Sequence, residues 1–154
     1  MAGADYAIAW HVEPRFARRV RRRGLASLAR RALAAEGAPL PAQLSIAVTD
    51  DETVRDLNNR YRGVDAATDV LAFSLDSGDA FVTPPQGDRQ LGEIVIAFPT
   101  AARQAEEAGH AVDDELAHLL VHGVLHLLGH DHQSPKDARA MRALEEALLE
   151  RAAH

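Results

Sequence analysis

A chain of 154 residues, 47% of them apolar, is long enough to bury one core and leaves little for a second domain. The absence of cysteine excludes disulfides and thiolate metal sites, so any metal must be held by imidazole, carboxylate or backbone oxygen. A net charge of −6 argues against a protein that coats nucleic acid over its whole surface.

The first residues, MAGADYAIAWHVEP, carry no basic stretch ahead of an apolar one. No apolar run approaches the roughly 18 to 20 residues of a membrane span, so a soluble cytoplasmic protein without membrane contact is the expectation. Tyr6 to Val12 alternates well enough for a first strand. Residues Arg15 to Arg31, RFARRVRRRGLASLARR, are strongly basic and could meet phosphates as a local patch. Composition offers a plainer account, because Lys136 is the only lysine and arginine is the general cation of this chain. Leu25 to Ala35 has helical spacing until Gly37, Pro39 and Pro41 stop it.

Leu44 to Val48 alternates again, and Thr49-Asp-Asp-Glu52 has the pattern of a capping box opening a second helix. Val54, Leu57 and Tyr61 share one face of that helix, which Gly63 closes. The apolar run Val70-Leu-Ala-Phe73 predicts a short strand buried on both sides. Residues 76–90 mix turn formers with few core candidates and read as a mobile surface loop. Ile94 to Phe98 is the most strand-like segment, and Pro99 suits the first turn of a helix running to Gly109. The sum is an α+β fold in a single domain over residues 1–154: a four-stranded sheet packed with about five to six helices.

The segment from Asp113 to His132, DDELAHLLVHGVLHLLGHDH, predicts a central buried helix that opens on acids and turns at Gly129. An imidazole buried there without a partner costs on the order of 1 to 3 kcal/mol, and this helix carries His118, His122 and His126. His122 and His126 lie one turn apart, about 6 Å along the axis, and can converge on one ion. His118 is about 12 Å from His126 along the axis, too far to share that ion, and is assigned a supporting or core role. The turn at Gly129 makes His132 the candidate third ligand, with His130 and Asp131 as competitors. Three protein ligands leave one tetrahedral position for water, the arrangement of catalytic zinc. A zinc peptidase of the H-E-x-x-H type would need a glutamate where Gly123 stands, and so lacks its base. Glycine inside a helix also leaves room for a close neighbour or for substrate.

The run HGVLHLLGHDH at residues 122–132 resembles the H-G-x-L-H-L-x-G-x-D-H signature of the YbeY family. Leu57-Asn58, Tyr61-Arg62, Asp65 and Thr68-Asp69-Val70-Leu71 through Phe73 resemble the family block L-N-x-x-Y-R-x-x-D-x-x-T-D-V-L-S-F. Gly92 to Ile96 resembles its G-D/E-I-x-I strand. The chain departs at Ala67, Ala72 and Ser74, where proline, serine and proline are usual, and at His130, often tyrosine. The resemblance implies a metal-dependent endoribonuclease specific for single-stranded RNA. It would act in 3′-end maturation of small-subunit ribosomal RNA and in ribosome quality control, beside the small subunit and its assembly factors. It implies one zinc per chain on His122, His126 and His132, and a functional arginine at Arg62. A guanidinium stays charged and can clamp phosphate oxygens as negative charge builds in the transition state. The rival expectation is a non-catalytic ribosome-assembly factor whose metal only staples the turn after the helix.

Overall fold

Strict alternation in the second strand organises the molecule: Ala42, Leu44, Ile46 and Val48 are buried on one side, the residues between them less so. The structure, a computed structural model, describes residues 6–74, 89–130 and 135–153, without the side chains of residues 89 and 150–153. The strands are β1 (Tyr6–Val12), β2 (Ala42–Thr49), β3 (Val70–Ser74) and β4 (Arg89–Ala97), in the sheet order β1-β2-β4-β3. β1, β2 and β4 run parallel, and β3 pairs antiparallel along the outer side of β4. The helices are α1 (Arg22–Ala35), α2 (Asp51–Arg62), α3 (Phe98–Ala108), α4 (Val112–Leu127) and α5 (Pro135–Ala153), with a 3-10 helix over Pro14–Arg19. This is the expected α+β fold.

Alternation along β4 divides the molecule into two layers of packing. Ile94 and Ile96 join the main core with Leu44, Ile46 and Val48, α1, α4 and α5, and with Phe98 and Ala101 of α3. Val95 and Ala97 face the other way, into a smaller cluster with Leu71 and with Val54 of α2. α2 therefore covers one face of the sheet, α1 and α4 cover the other, and α5 packs against α4 and α1. In α1 the buried Leu25, Leu28, Ala29, Ala32 and Leu33 form the stripe that seats it on the sheet.

Three local expectations are corrected. α2 is capped by Asp50, whose carboxylate accepts from the Thr53 amide at 2.7 Å. Thr49 does not cap it, because it is still paired in the sheet opposite Ala97, and its hydroxyl donates to Glu13. β3 is an edge strand in which only Leu71 is fully buried, and Tyr61 is 64% exposed although it follows the apolar spacing of α2. An apolar run of this length reads the same for an edge as for a centre, since sequence does not say whether a neighbour follows. The expected loop of 76–90 ends early, because Arg89 and Gln90 already belong to β4; residues 75–88 lie outside the described residues.

Two glycines allow α4 to lie close against the sheet. A β-carbon on Gly123 would come within 2.9 Å of Ile94 Cγ2, and one on Gly92 would meet the Phe73 carbonyl oxygen and Leu127 Cδ1. The room left at Gly123 is thus taken by a close neighbour. Among the described residues no helix is long and apolar enough to cross a membrane.

Candidate metal centre

α4 begins with Asp113, Asp114 and Glu115 in its first turn, where carboxylates suit the positive end of the helix. It buries Leu116, Leu119, Leu120, Val121, Val124 and Leu125. His122 and His126 project from it as near-parallel rings, 6.2 Å between centroids and 10° between planes. Each ring is held by its Nδ1. His122 Nδ1 lies 2.5 Å from Glu145 Oε2, on a glutamate of α5 that is only 5% exposed. His126 Nδ1 lies 3.1 Å from the carbonyl oxygen of His130. A carbonyl and a carboxylate can only accept, so both Nδ1 atoms carry the proton, and in a neutral ring the basic lone pair falls on Nε2. Two neighbouring imidazoles fixed in this tautomer are the donor set that a zinc-type ion takes.

Burial and charge act on His122 in opposite senses. The hydrogen bond to Glu145 raises its pKa above the ordinary histidine value, burial opposes that, and the charges of Glu145 and Asp69 add to the rise. Asp69 is set immediately before β3, where its carbonyl accepts from the Ala97 amide at 2.9 Å.

His132 and Asp131 lie outside the described residues. With that candidate ligand outside, no group of three or more His, Asp or Glu side chains that could hold a metal ion occurs among the described residues. His130 turns its Nε2 to Glu36 Oε1, 2.5 Å away just beyond α1, while its carbonyl supports His126. The core role expected for His118 is corrected, because the residue is exposed. Each step of four residues rotates about 40° around a helix, so the row from His126 through His122 has left the packed side by His118.

Arg62 is exposed at the last position of α2, ahead of Gly63 with φ of 71°. Tyr61 packs edge-on against Phe73 near the end of β3, ring centroids 5.4 Å apart. Leu127, the residue after His126, reaches the same Phe73 and Gly92 neighbourhood from the other face. The ends of α2 and α4 therefore flank one end of the β3 edge, with Arg62 and His126 carried on opposite faces of the sheet. The turn after α2 is tied down by side chains of α2 itself. Asn58 Nδ2 donates to the Ala66 carbonyl at 2.9 Å, and Arg55 pairs with Asp65 at 2.8 Å.

Beyond α4 a hollow of about 310 Å³ is lined by Pro39, Ser74, Leu91, Leu127, Leu128 and Gly129. The basic segment is split between two elements, with Arg18, Arg19 and Arg21 lining one hollow beside Asp113. Arg18 and Arg19 belong to the 3-10 helix and Arg22 and Arg23 open α1. Arg19 lies over the Phe98 ring at 4.8 Å, and Arg21 pairs with Asp113 at 3.0 Å.

Sequence reasoning missed Glu145 and Glu36. A signal for Glu145 existed: Met141, Glu145 and Leu148 fall at i, i+4 and i+7, so a glutamate occupies the apolar stripe of α5. Glu36 gave no comparable signal, because its partner is brought to it only by the packing of α1 beside α4.

A family model described as endoribonuclease YbeY matches residues 15–153. An endoribonuclease YbeY of Roseiflexus castenholzii is 54% identical over 110 residues, covering 71% of this chain and 69% of the relative. That of Desulforamulus reducens is 45% identical over 125 residues, 81% of this chain and 82% of the relative. That of Dehalococcoides mccartyi is 39% identical over 146 residues, 90% and 85%. A solution structure of a Thermotoga maritima protein superposes with a TM-score of 0.63 over 94% of this chain and 88% of its own, at 23% identity, a likeness of fold. With the family model spanning both the histidine helix and the Arg62 turn, the chain belongs to the endoribonuclease YbeY family.

Proposed function

We propose that this chain is a metal-dependent endoribonuclease that cleaves single-stranded RNA, acting in 3′-end maturation of small-subunit ribosomal RNA and in ribosome quality control in the cytoplasm. The observation that carries the reading is the pair His122 and His126, one turn apart on the buried helix, each with its Nδ1 tied to an acceptor. In this reading residues 1–154 form a single YbeY-like domain, and one zinc per chain is held by His122, His126 and His132. Bound there, zinc would supply Lewis-acid polarisation and an acidified water for phosphodiester hydrolysis.

The chain's own residues do the positioning. Glu145 and the His130 carbonyl hold the two imidazoles in place. Arg62, across the β3 edge, clamps phosphate oxygens as charge develops on them. The RNA backbone then passes round the end of β3, and an unstacked base can rest in the hollow beyond α4, beside Leu91, Leu127 and Leu128. Single strands fit this path because a duplex cannot splay its bases onto such a surface. His130, turned toward Glu36, speaks for an open catalytic site over a closed four-histidine staple.

The test is metal content and cleavage of a single-stranded RNA by the purified chain and its single variants. About one zinc per chain is expected, lost with cleavage in His122→Ala, His126→Ala and His132→Ala, and kept in His118→Ala. Metal loss in His118→Ala alone would overturn the ligand set. Zinc-loaded protein that binds RNA and never cleaves it would favour the assembly factor with a structural metal.

A further inference from the structure

We propose that Glu145 is the positioning residue of this centre: a carboxylate delivered by α5 that fixes the tautomer and orientation of His122. The inference rests on the metal reading above and deepens it. Glu145 lies between Met141 and Leu148, which are 2% and 5% exposed, on the side of α5 packed into the main core. A carboxylate in such a place carries a desolvation cost of several kcal/mol unless a donor compensates it. At 2.5 Å, His122 Nδ1 is that donor. An ionised carboxylate accepts only, so the proton is held on Nδ1 and the coordinating lone pair on Nε2 before any ion arrives.

The two imidazoles are unequally supported. His126 donates to a neutral carbonyl at 3.1 Å, a contact that any residue at 130 provides through its backbone. His122 Nδ1 meets a charged side chain delivered by another helix. A charged acceptor makes the shorter and stronger bond and raises the basicity of the ligating nitrogen. Metal affinity should therefore be more sensitive to the chemistry at 145 than to that of the His130 side chain. A glutamate serving only to dock α5 would instead affect folding and leave affinity unchanged.

The experiment is zinc affinity of the full chain, by competition with a chromophoric chelator, alongside thermal unfolding of the metal-free protein. Glu145→Gln keeps shape and removes charge, and about a 10- to 100-fold weaker dissociation constant is expected, with Glu145→Asp recovering part of the loss. Equal affinity in Glu145→Gln overturns the proposal. A second measurement needs no variant. Long-range 1H–15N correlation spectra of the metal-free wild type should show His122 protonated on Nδ1 and deprotonated on Nε2 at alkaline pH, and the opposite tautomer overturns the proposal even if the variants fail to fold. A wild-type chain that takes up no zinc overturns the metal reading itself, and this proposal with it.

Discussion

Gly123→Ala sets two physical effects against each other at the centre of the metal helix. On helix propensity alone, alanine would stabilise α4 by about 1 kcal/mol. The new methyl, however, would lie 2.9 Å from Ile94 Cγ2 and 3.3 Å from both Cγ1 and Cδ1. Favourable carbon contacts begin near 3.5 Å, so α4 and β4 must separate by roughly half an ångström. Ile94 cannot easily yield: it is fully buried on the strand between β2 and β3, and its Cγ2 is fixed by the β-branch. Overpacking of this kind costs about 1 to 3 kcal/mol. The net expectation is a loss of about 1 kcal/mol, or some 2 to 4 °C in melting temperature for a domain of this size. Thermal and urea unfolding of metal-free protein would measure it. In an Ile94→Ala background the clash is gone, so the same glycine substitution should become neutral or stabilising, a coupling of 1 kcal/mol or more. A higher melting temperature in Gly123→Ala alone, or strict additivity in the double variant, would refute the close-contact argument.

Arg62→Glu should cut cleavage of single-stranded RNA by orders of magnitude, while zinc content and melting temperature stay near wild type, because its side chain is exposed and its task is substrate phosphate. Unchanged turnover would remove it from the site. Reversing Arg18, Arg19, Arg21, Arg22 and Arg23 together should weaken RNA binding and flatten its salt dependence, each lost contact changing the log–log slope by roughly 0.7. Parallel titration lines of equal affinity would mean a merely solvated surface. Asp51 offers a pH test. Partial burial pushes its carboxyl up, but the hydrogen bonds from Thr100 and Arg103 outweigh that and hold it below its ordinary 3.8. Its contribution is complete above that unfolded value and is lost as pH falls through the lower folded one, so Asp51→Asn should flatten the fall in melting temperature below about pH 4. An unchanged acid limb would show that Asp51 does not supply it.

The elements with a strict period were legible from the residues alone. β2 alternates, α1 carries its stripe, and the spacing of His122 and His126 became two stacked rings. What failed depended on neighbours that a linear reading cannot see. Thr49 has the chemistry of a cap, yet sheet pairing retains it and Asp50 takes the role. The edge position of β3 follows from the strand order, which local periodicity does not encode. The support of the two imidazoles comes from a helix tens of residues downstream and from a backbone carbonyl, neither of which a side-chain motif contains. Arg62 was identified through resemblance, since an arginine before a helix-closing glycine has no distinguishing local chemistry.

The strand order also imposes a sequence of events on synthesis. β2 needs partners on both sides: Tyr6 lies opposite Ala42 early in the chain, but Thr49 meets Ala97 only after α2 and β3 have been made. At about 5 to 20 residues per second, that interval leaves one side of β2 without its strand for roughly 2 to 10 seconds. β3, made before β4, likewise waits for the strand it will pair with. Until then the nascent chain carries an apolar strand with an open edge, the kind of surface that pairs with other chains. Once β4 emerges it closes β2 and β3 in one step, and only then does α4 have a floor to lie on. The helix that carries the histidines is thus added to a finished sheet.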